Sequence, residues 1–237
     1  GICLGFKKAG AEIVWANDND KHACVTYQDN FNKDHNLIED DVANLVRVMN
    51  DYPHSIVRPD GWKADIVVSG FPCQAFSIAG CQNGFSDARG NHFFETLQVI
   101  RKLKPKAFLL ENVKNLQTHD GGNTFEVIKK HILKEGYSFI PKVLNTKDFG
   151  GLPQTRERIY IVGFRDEASF NELELNKKAL CSYTYETSTL KKVALKKTFR
   201  DFLEQGNIRE EFYYHNNPIY PELLRDIKRM DTVYQWR

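Results

Sequence analysis

The 237-residue sequence has no Cys-x-x-C pair, no complete G-x-G-x-x-G run and no apolar stretch of membrane-spanning length. Its five cysteines (Cys3, Cys24, Cys73, Cys81 and Cys181) are odd in number and scattered, which argues against a zinc ribbon or a thioredoxin-like redox pair. No metal site is expected, and free thiols point to a reducing compartment. No signal peptide with a basic start and apolar centre is visible, so a cytoplasmic location without membrane contact is expected. Excess charge of one sign is lacking too. With 33 Lys+Arg against 31 Asp+Glu, composition neither requires nor excludes a nucleic-acid partner. What is present is 41% hydrophobic residues and 12% aromatics, enough to bury a sizeable core and to exclude a disordered chain.

Short apolar runs alternate with helical periodicity over the first two-thirds, the pattern of an α/β sheet. Glu12-Ile13-Val14-Trp15-Ala16 reads as a strand stopped by Asn17-Asp18-Asn19-Asp20, a run of good helix caps. Ala23, Cys24, Tyr27 and Phe31 then recur at helical spacing. Ile66–Val68 reads as a buried strand and Phe93, Leu97, Ile100 and Leu103 as one helix face. Ala107–Leu110 is the next strand, ending at Glu111-Asn112. Phe125, Ile128 and Ile132 mark a helix with Gly136 at its end. Tyr137–Leu144 and Arg158–Phe164 are two further strands, joined by a segment with Gly150, Gly151 and Pro153 that is too broken for a crossover helix. Strands joined without a crossover run antiparallel. The expected fold is therefore α/β and Rossmann-like, a mostly parallel sheet with a reversed last strand. Beyond Asp166 the pattern loosens, with short helices expected around Phe199–Glu204 and Pro221–Met230.

Ligands of open α/β sheets bind outside the carboxyl ends of the strands. Cys73 follows one such strand, Glu111 ends another, and the reversed last strand brings Arg156 and Arg158 to the same edge. A thiol, a carboxylate and two guanidiniums make a nucleophile, a proton handler and donors to an anion or carbonyl. Taken singly, the cysteine also fits an inert small hydrophobe, and Glu111 with Arg158 a structural ion pair.

The order of three motifs narrows this. Gly70-Phe71-Pro72-Cys73-Gln74-Ala75-Phe76-Ser77-Ile78, Glu111-Asn112-Val113 and Gln154-Thr155-Arg156-Glu157-Arg158-Ile159-Tyr160 follow one another, each at a strand end. The chain resembles the C5-cytosine DNA methyltransferases of the bacterial restriction–modification, HhaI-like type over about residues 1–165. The resemblance implies an S-adenosylmethionine-dependent methyltransferase fold acting as a monomer on double-stranded DNA. It implies Cys73 as nucleophile, Glu111 at cytosine N3, Arg158 at the O2 carbonyl, and Arg156 supporting the nucleophile loop or a phosphate. The Gly80–Gly90 segment then resembles the loop that closes over DNA, with Gln74, Ser77 and Arg89 as substrate contacts. On the cofactor side it implies Gly1, Asp18 at the ribose hydroxyls with Asn19 beside it, Asp41 and Val42 at the adenine, and Pro72 along the methyl donor. Asp18 also reads as a simple helix cap.

The chain departs from the family pattern in lacking the first strand and its glycine turn, of which Gly1 and Gly5 resemble the end. It reads as a piece of a longer protein: residues 1–190 a catalytic domain, 191–237 the connection into a target recognition domain. As such a piece it is expected to bind the cofactor weakly and methylate little DNA. The nearest rival is a tRNA cytosine-5 methyltransferase, whose family shows a double Pro before Cys where this chain has Phe71-Pro72-Cys73. A non-catalytic methyltransferase-like regulator would not need Cys73, Glu111, Arg156 and Arg158 together. A Rossmann-like oxidoreductase lacks its glycine motif.

Overall fold

The computed structural model describes residues 1–31, 37–51, 63–72, 92–165, 188–203, 206 and 209. Cys73, Gln74, Ser77, Cys81 and Arg89, the Gly80–Gly90 loop, Cys181 and the helix expected at Pro221–Met230 lie outside them. The chain forms two compact units, Gly1–Leu195 and Lys196–Arg237.

In the first unit, α1 (Ile2–Lys8) precedes β1 (Ala16–Asp18), α2 (Lys21–Phe31), β2 (Leu37–Glu39) and α3 (Val42–Asp51). Then come β3 (Ile66–Ser69), α4 (His92–Leu103), β4 (Ala107–Val113), α5 (Asn123–Lys134), β5 (Ile140–Asn145), α6 (Thr146–Gly150) and β6 (Glu157–Phe164). β1 and β2 pair in parallel. The main sheet has the order β3-β4-β6-β5. β3 runs parallel to β4, whereas β6 is antiparallel to both β4 and β5. The reversed last strand is thus present, and it inserts between its predecessors. The connection from β5 holds only the single turn α6, ended by Gly151 at φ +64°, so the chain doubles back rather than crossing over. Among the described residues no helix is long and apolar enough to cross a membrane.

Four features of this unit differ from expectation. The first strand is Ala16–Asp18, not Glu12–Ala16, because its register with β2 begins at Ala16 opposite Leu37 and a strand exists only where it has a partner. β4 runs through Glu111 to Val113, since β6 continues the ladder to Arg158 opposite Val113. Gly5 lies inside α1 rather than in a turn. The β5 strand also starts later than Tyr137, which makes only an isolated bridge to Arg165. In the second unit a 3₁₀ turn, Phe199–Phe202, stands where a short helix was expected, capped by Thr198 and Asp201.

One core holds the sheet to its helices. Val67, Phe108, Leu110, Ile159 and Ile161 of the strands meet Leu45 and Met49 of α3, Phe93, Leu97 and Ile100 of α4, and Ile128 and Ile132 of α5. β6 reaches this core only because residue 163 is glycine. Gly163 faces Phe108 across the ladder, and a Cβ there would overlap the Phe108 ring and lie 2.6 Å from the Ser138 carbonyl oxygen. Both obstacles are fixed by packing, so Gly163→Ala should cost about 3 kcal/mol or leave the protein unfolded. Urea unfolding checks this, and a midpoint equal to wild type would contradict the packing described.

Candidate active site

The alternation of β4 sorts its side chains. Phe108, Leu110 and Asn112 are buried on one face, while Leu109, Glu111 and Val113 are half-buried on the other. Glu111 sits directly opposite Tyr160 of β6, which makes Arg158 its diagonal neighbour on the same face, within reach of a long side chain. Arg158 Nε forms an ion pair with Glu111 Oε1 at 3.1 Å, and Arg156 approaches the same oxygen at 3.9 Å. Arg158 and Glu111 are 20% and 22% exposed, enough to meet a ligand without full solvent screening.

Across from this group lies the end of β3. A Cβ on Gly70 would stand 3.5 Å from Glu111 Oε2 and 3.8 Å from Ile2 Cδ1. Gly70 therefore separates the carboxylate from α1, with ordinary contact distance on each side. Asn112, 2% exposed, donates from Nδ2 to the Phe71 carbonyl at 3.3 Å, and its Oδ1 accepts from the Val113 N–H at 2.8 Å. The backbone leading to Pro72, next to Cys73 in the sequence, is thus tied to the residue after Glu111.

On the other side of Gly70 opens a cavity of about 570 Å³. Gly1, Asp18, Asn19, Asp41, Val42 and Pro72, the six residues expected on the cofactor side, all line it. So do Ile2, Trp15 and Phe71, which supply apolar wall. The cavity is acidic: its described lining includes Asp18, Asp40 and Asp41 and neither Lys nor Arg. The Asn44 amide and the Asp41 backbone N–H hold the Asp40 carboxyl below the usual carboxylate range.

The local chain explains these positions. Asn17 Nδ2 donates to the carbonyls of Ile38 (3.0 Å) and Asp40 (2.8 Å), joining the ends of β1 and β2 and so bringing Asp18 and Asp41 to one rim. The helix cap of α2 is Asp20, whose Oδ1 accepts from Ala23 N–H at 2.8 Å. Asp18 is not that cap; its Oδ1 accepts from the Asp20 N–H at 2.9 Å. Beneath them, burial and the nearby carboxylates of Glu39, Asp18 and Asp20 push the Cys24 thiol up, as befits an inert buried cysteine. Burial, then the hydrogen bond to Cys3, likewise push the Tyr27 hydroxyl up on the cavity wall.

Sequence reading missed His92 and Thr96 of α4, which also line the cavity. Their positions beside the apolar face of α4 were the available signal. Ser69 and Thr96 hydroxyls meet at 3.2 Å, joining β3 to α4 at the cavity floor.

Among solved structures, a DNA modification methyltransferase encoded within an E. coli prophage matches 66% of this chain and 41% of its own, with a TM-score of 0.51 and 24% identity, a likeness of fold. The sequence profile of the C-5 cytosine-specific DNA methylases matches residues 1–234. The chain therefore belongs to the C-5 cytosine-specific DNA methylase family. It is 40% identical over its whole length to the type II methyltransferase M.Bsp6I of Bacillus sp. (strain RFL6), of which it covers 68%. It is 41% identical over 75% of its length to the type II methyltransferase M.HhaI of Haemophilus parahaemolyticus, of which it covers 50%.

Proposed function

We propose that this chain is the catalytic portion of a DNA (cytosine-5)-methyltransferase that uses S-adenosylmethionine. The observation that carries the reading is Glu111, set beside Arg158 at the strand edge and against Gly70, three residues before Cys73. The residues of the cavity suit the cofactor. It is a cation with a sulfonium and an ammonium group, and the cavity offers three carboxylates and neither Lys nor Arg among its described lining. Its volume lies within the usual range for small-molecule sites. Asp18 would hold the ribose hydroxyls, Asp41 and Val42 the adenine, and Gly1, Asn19 and Pro72 the remaining wall. When bound, S-adenosylmethionine supplies an electrophilic methyl group.

The chain's own residues make the base receptive. Cytosine C5 is a poor nucleophile until a thiolate at Cys73 bonds to C6, which sends the π pair of the C5–C6 bond toward C5 and charge onto the ring. Glu111 meets that charge at N3 with a proton or strong hydrogen bond, and Arg158 donates to O2. Once C5 carries the methyl group, a base removes the C5 proton, the double bond re-forms and the Cys73 thiolate leaves. A stacked base is out of reach of these groups, so the cytosine flips out of duplex DNA, with Gln74, Ser77 and Arg89 on the substrate side and Arg156 at a phosphate or the loop. Residues 1–190 carry this chemistry, and 191–237 connect onward to target recognition.

Duplex DNA with 5-fluorocytosine at the target site tests the scheme in the full-length protein. Fluorine cannot leave as a proton does, so elimination stalls and a covalent adduct should accumulate on Cys73. Mass spectrometry locating the adduct on Cys81, or on no cysteine, would overturn it.

A further inference from the structure

We propose that His92 reads the exocyclic amine of the cofactor's adenine together with Asp41, making this wall of the cavity selective for a 6-aminopurine. The inference rests on the reading of the cavity as the S-adenosylmethionine site.

His92 begins α4 and lines the cavity, while Glu95, one helical turn on, stands behind it. His92 Nδ1 is hydrogen-bonded to the Glu95 carboxylate. Both side chains are about one-fifth exposed, so the pair is held largely within the protein. A carboxylate only accepts, so Nδ1 carries a ring proton, and the tautomer this fixes for a neutral imidazole has Nε2 as a lone-pair acceptor. One oxygen of Asp41, one ring nitrogen of His92 and one oxygen of Glu95 lie within 4.8 Å of one another. Asp41 is fixed at the start of α3, where its Oδ1 accepts from the Ala43 N–H at 2.8 Å, with Oδ2 as its second acceptor. Among the described residues the charged side chains that line the cavity are Asp18, Asp40 and Asp41, and Glu95 is the charged side chain bonded to His92; all are acceptors.

A wall of acceptors recognises donors. The amine at C6 of adenine carries two N–H groups, one for Asp41 and one for His92 Nε2. A 6-oxopurine presents a carbonyl there instead, which would set lone pairs against lone pairs and leave the acceptors unmatched. Sites built to hydrogen-bond a ligand group reject the analogue lacking it far more strongly than apolar walls do.

The experiment is calorimetric titration of the full-length protein with S-adenosylhomocysteine and with its inosine counterpart, at pH 8. Wild type should prefer the adenine compound by roughly 100-fold. His92→Leu, which keeps an apolar wall of similar size, should lower that preference by about tenfold while affinity for the inosine compound stays within about twofold of wild type. That retained affinity reports an intact cavity. His92→Gln, whose amide oxygen can accept, should keep most of the preference. An unchanged preference in His92→Leu, with both compounds bound, overturns the role of His92 and leaves the cofactor site standing. Failure of wild type to bind either compound overturns both readings.

Discussion

Cys73→Ser in the full-length protein is expected to lower methyl transfer at least ~10³-fold, about 4 kcal/mol of transition-state stabilisation, while DNA binding and unfolding stay close to wild type. A hydroxyl nearly matches a thiol in size but ionises far less at neutral pH, so the attack on C6 loses its nucleophile. The measurement is single-turnover transfer of labelled methyl to duplex DNA, with a filter-binding control for affinity. Turnover within a few-fold of wild type would remove the thiol from the mechanism.

Glu111→Gln should lower the same rate by ~10²–10⁴-fold, the range for loss of a positioned general acid. Glutamine keeps the shape and leaves an amide oxygen beside Arg158 Nε, now 3.1 Å from Glu111 Oε1. It cannot lend a proton to N3 as the charge from thiolate addition spreads over the ring. The loss should fall on kcat rather than on KM for DNA, since the group matters most once charge develops. Folding should change little, by less than about 1 kcal/mol for a partly exposed ion pair. The 5-fluorocytosine adduct separates the roles. If Glu111→Gln formed it at the wild-type rate, the carboxylate would not assist the addition at N3.

How much of this was legible in the sequence varies residue by residue. β4 was legible because Ala107–Leu110 is a short continuous apolar run, and Glu111 with Arg156 and Arg158 needed only topology to meet at one edge. The extent of β4 was not legible. Glu111, Asn112 and Val113 are strand residues because β6 lies beside them, and a ladder partner forty-odd residues away leaves no local trace. Which residue caps α2 was not legible, for a related reason. Asn17, Asp18, Asn19 and Asp20 all favour caps, and the backbone path through β1 leaves that task to Asp20.

His92 is the clearest case of a residue whose setting is tertiary. In the sequence it is one histidine ahead of an apolar helix face. Only packing of α4 beside α3 brings it near Asp41, some fifty positions earlier, while Glu95 defines its tautomer locally. Asn112 is similar: its motif was visible, but its bond to the Phe71 carbonyl exists only because β3 and β4 are neighbours.

By itself the sequence determined β3, β4, α4 and α5, the reversal of the last strand and the residue types available at the sheet edge. Those follow from short-range rules of periodicity, turn residues and connection length, which act within a few residues. The tertiary structure decided where β1 and β4 end and that β6 lies between β4 and β5. It also decided that Gly163 must stay small against Phe108, and that six scattered residues share one acidic cavity. Each of these depends on contacts between segments far apart in the chain, whose energies are absent until the core closes.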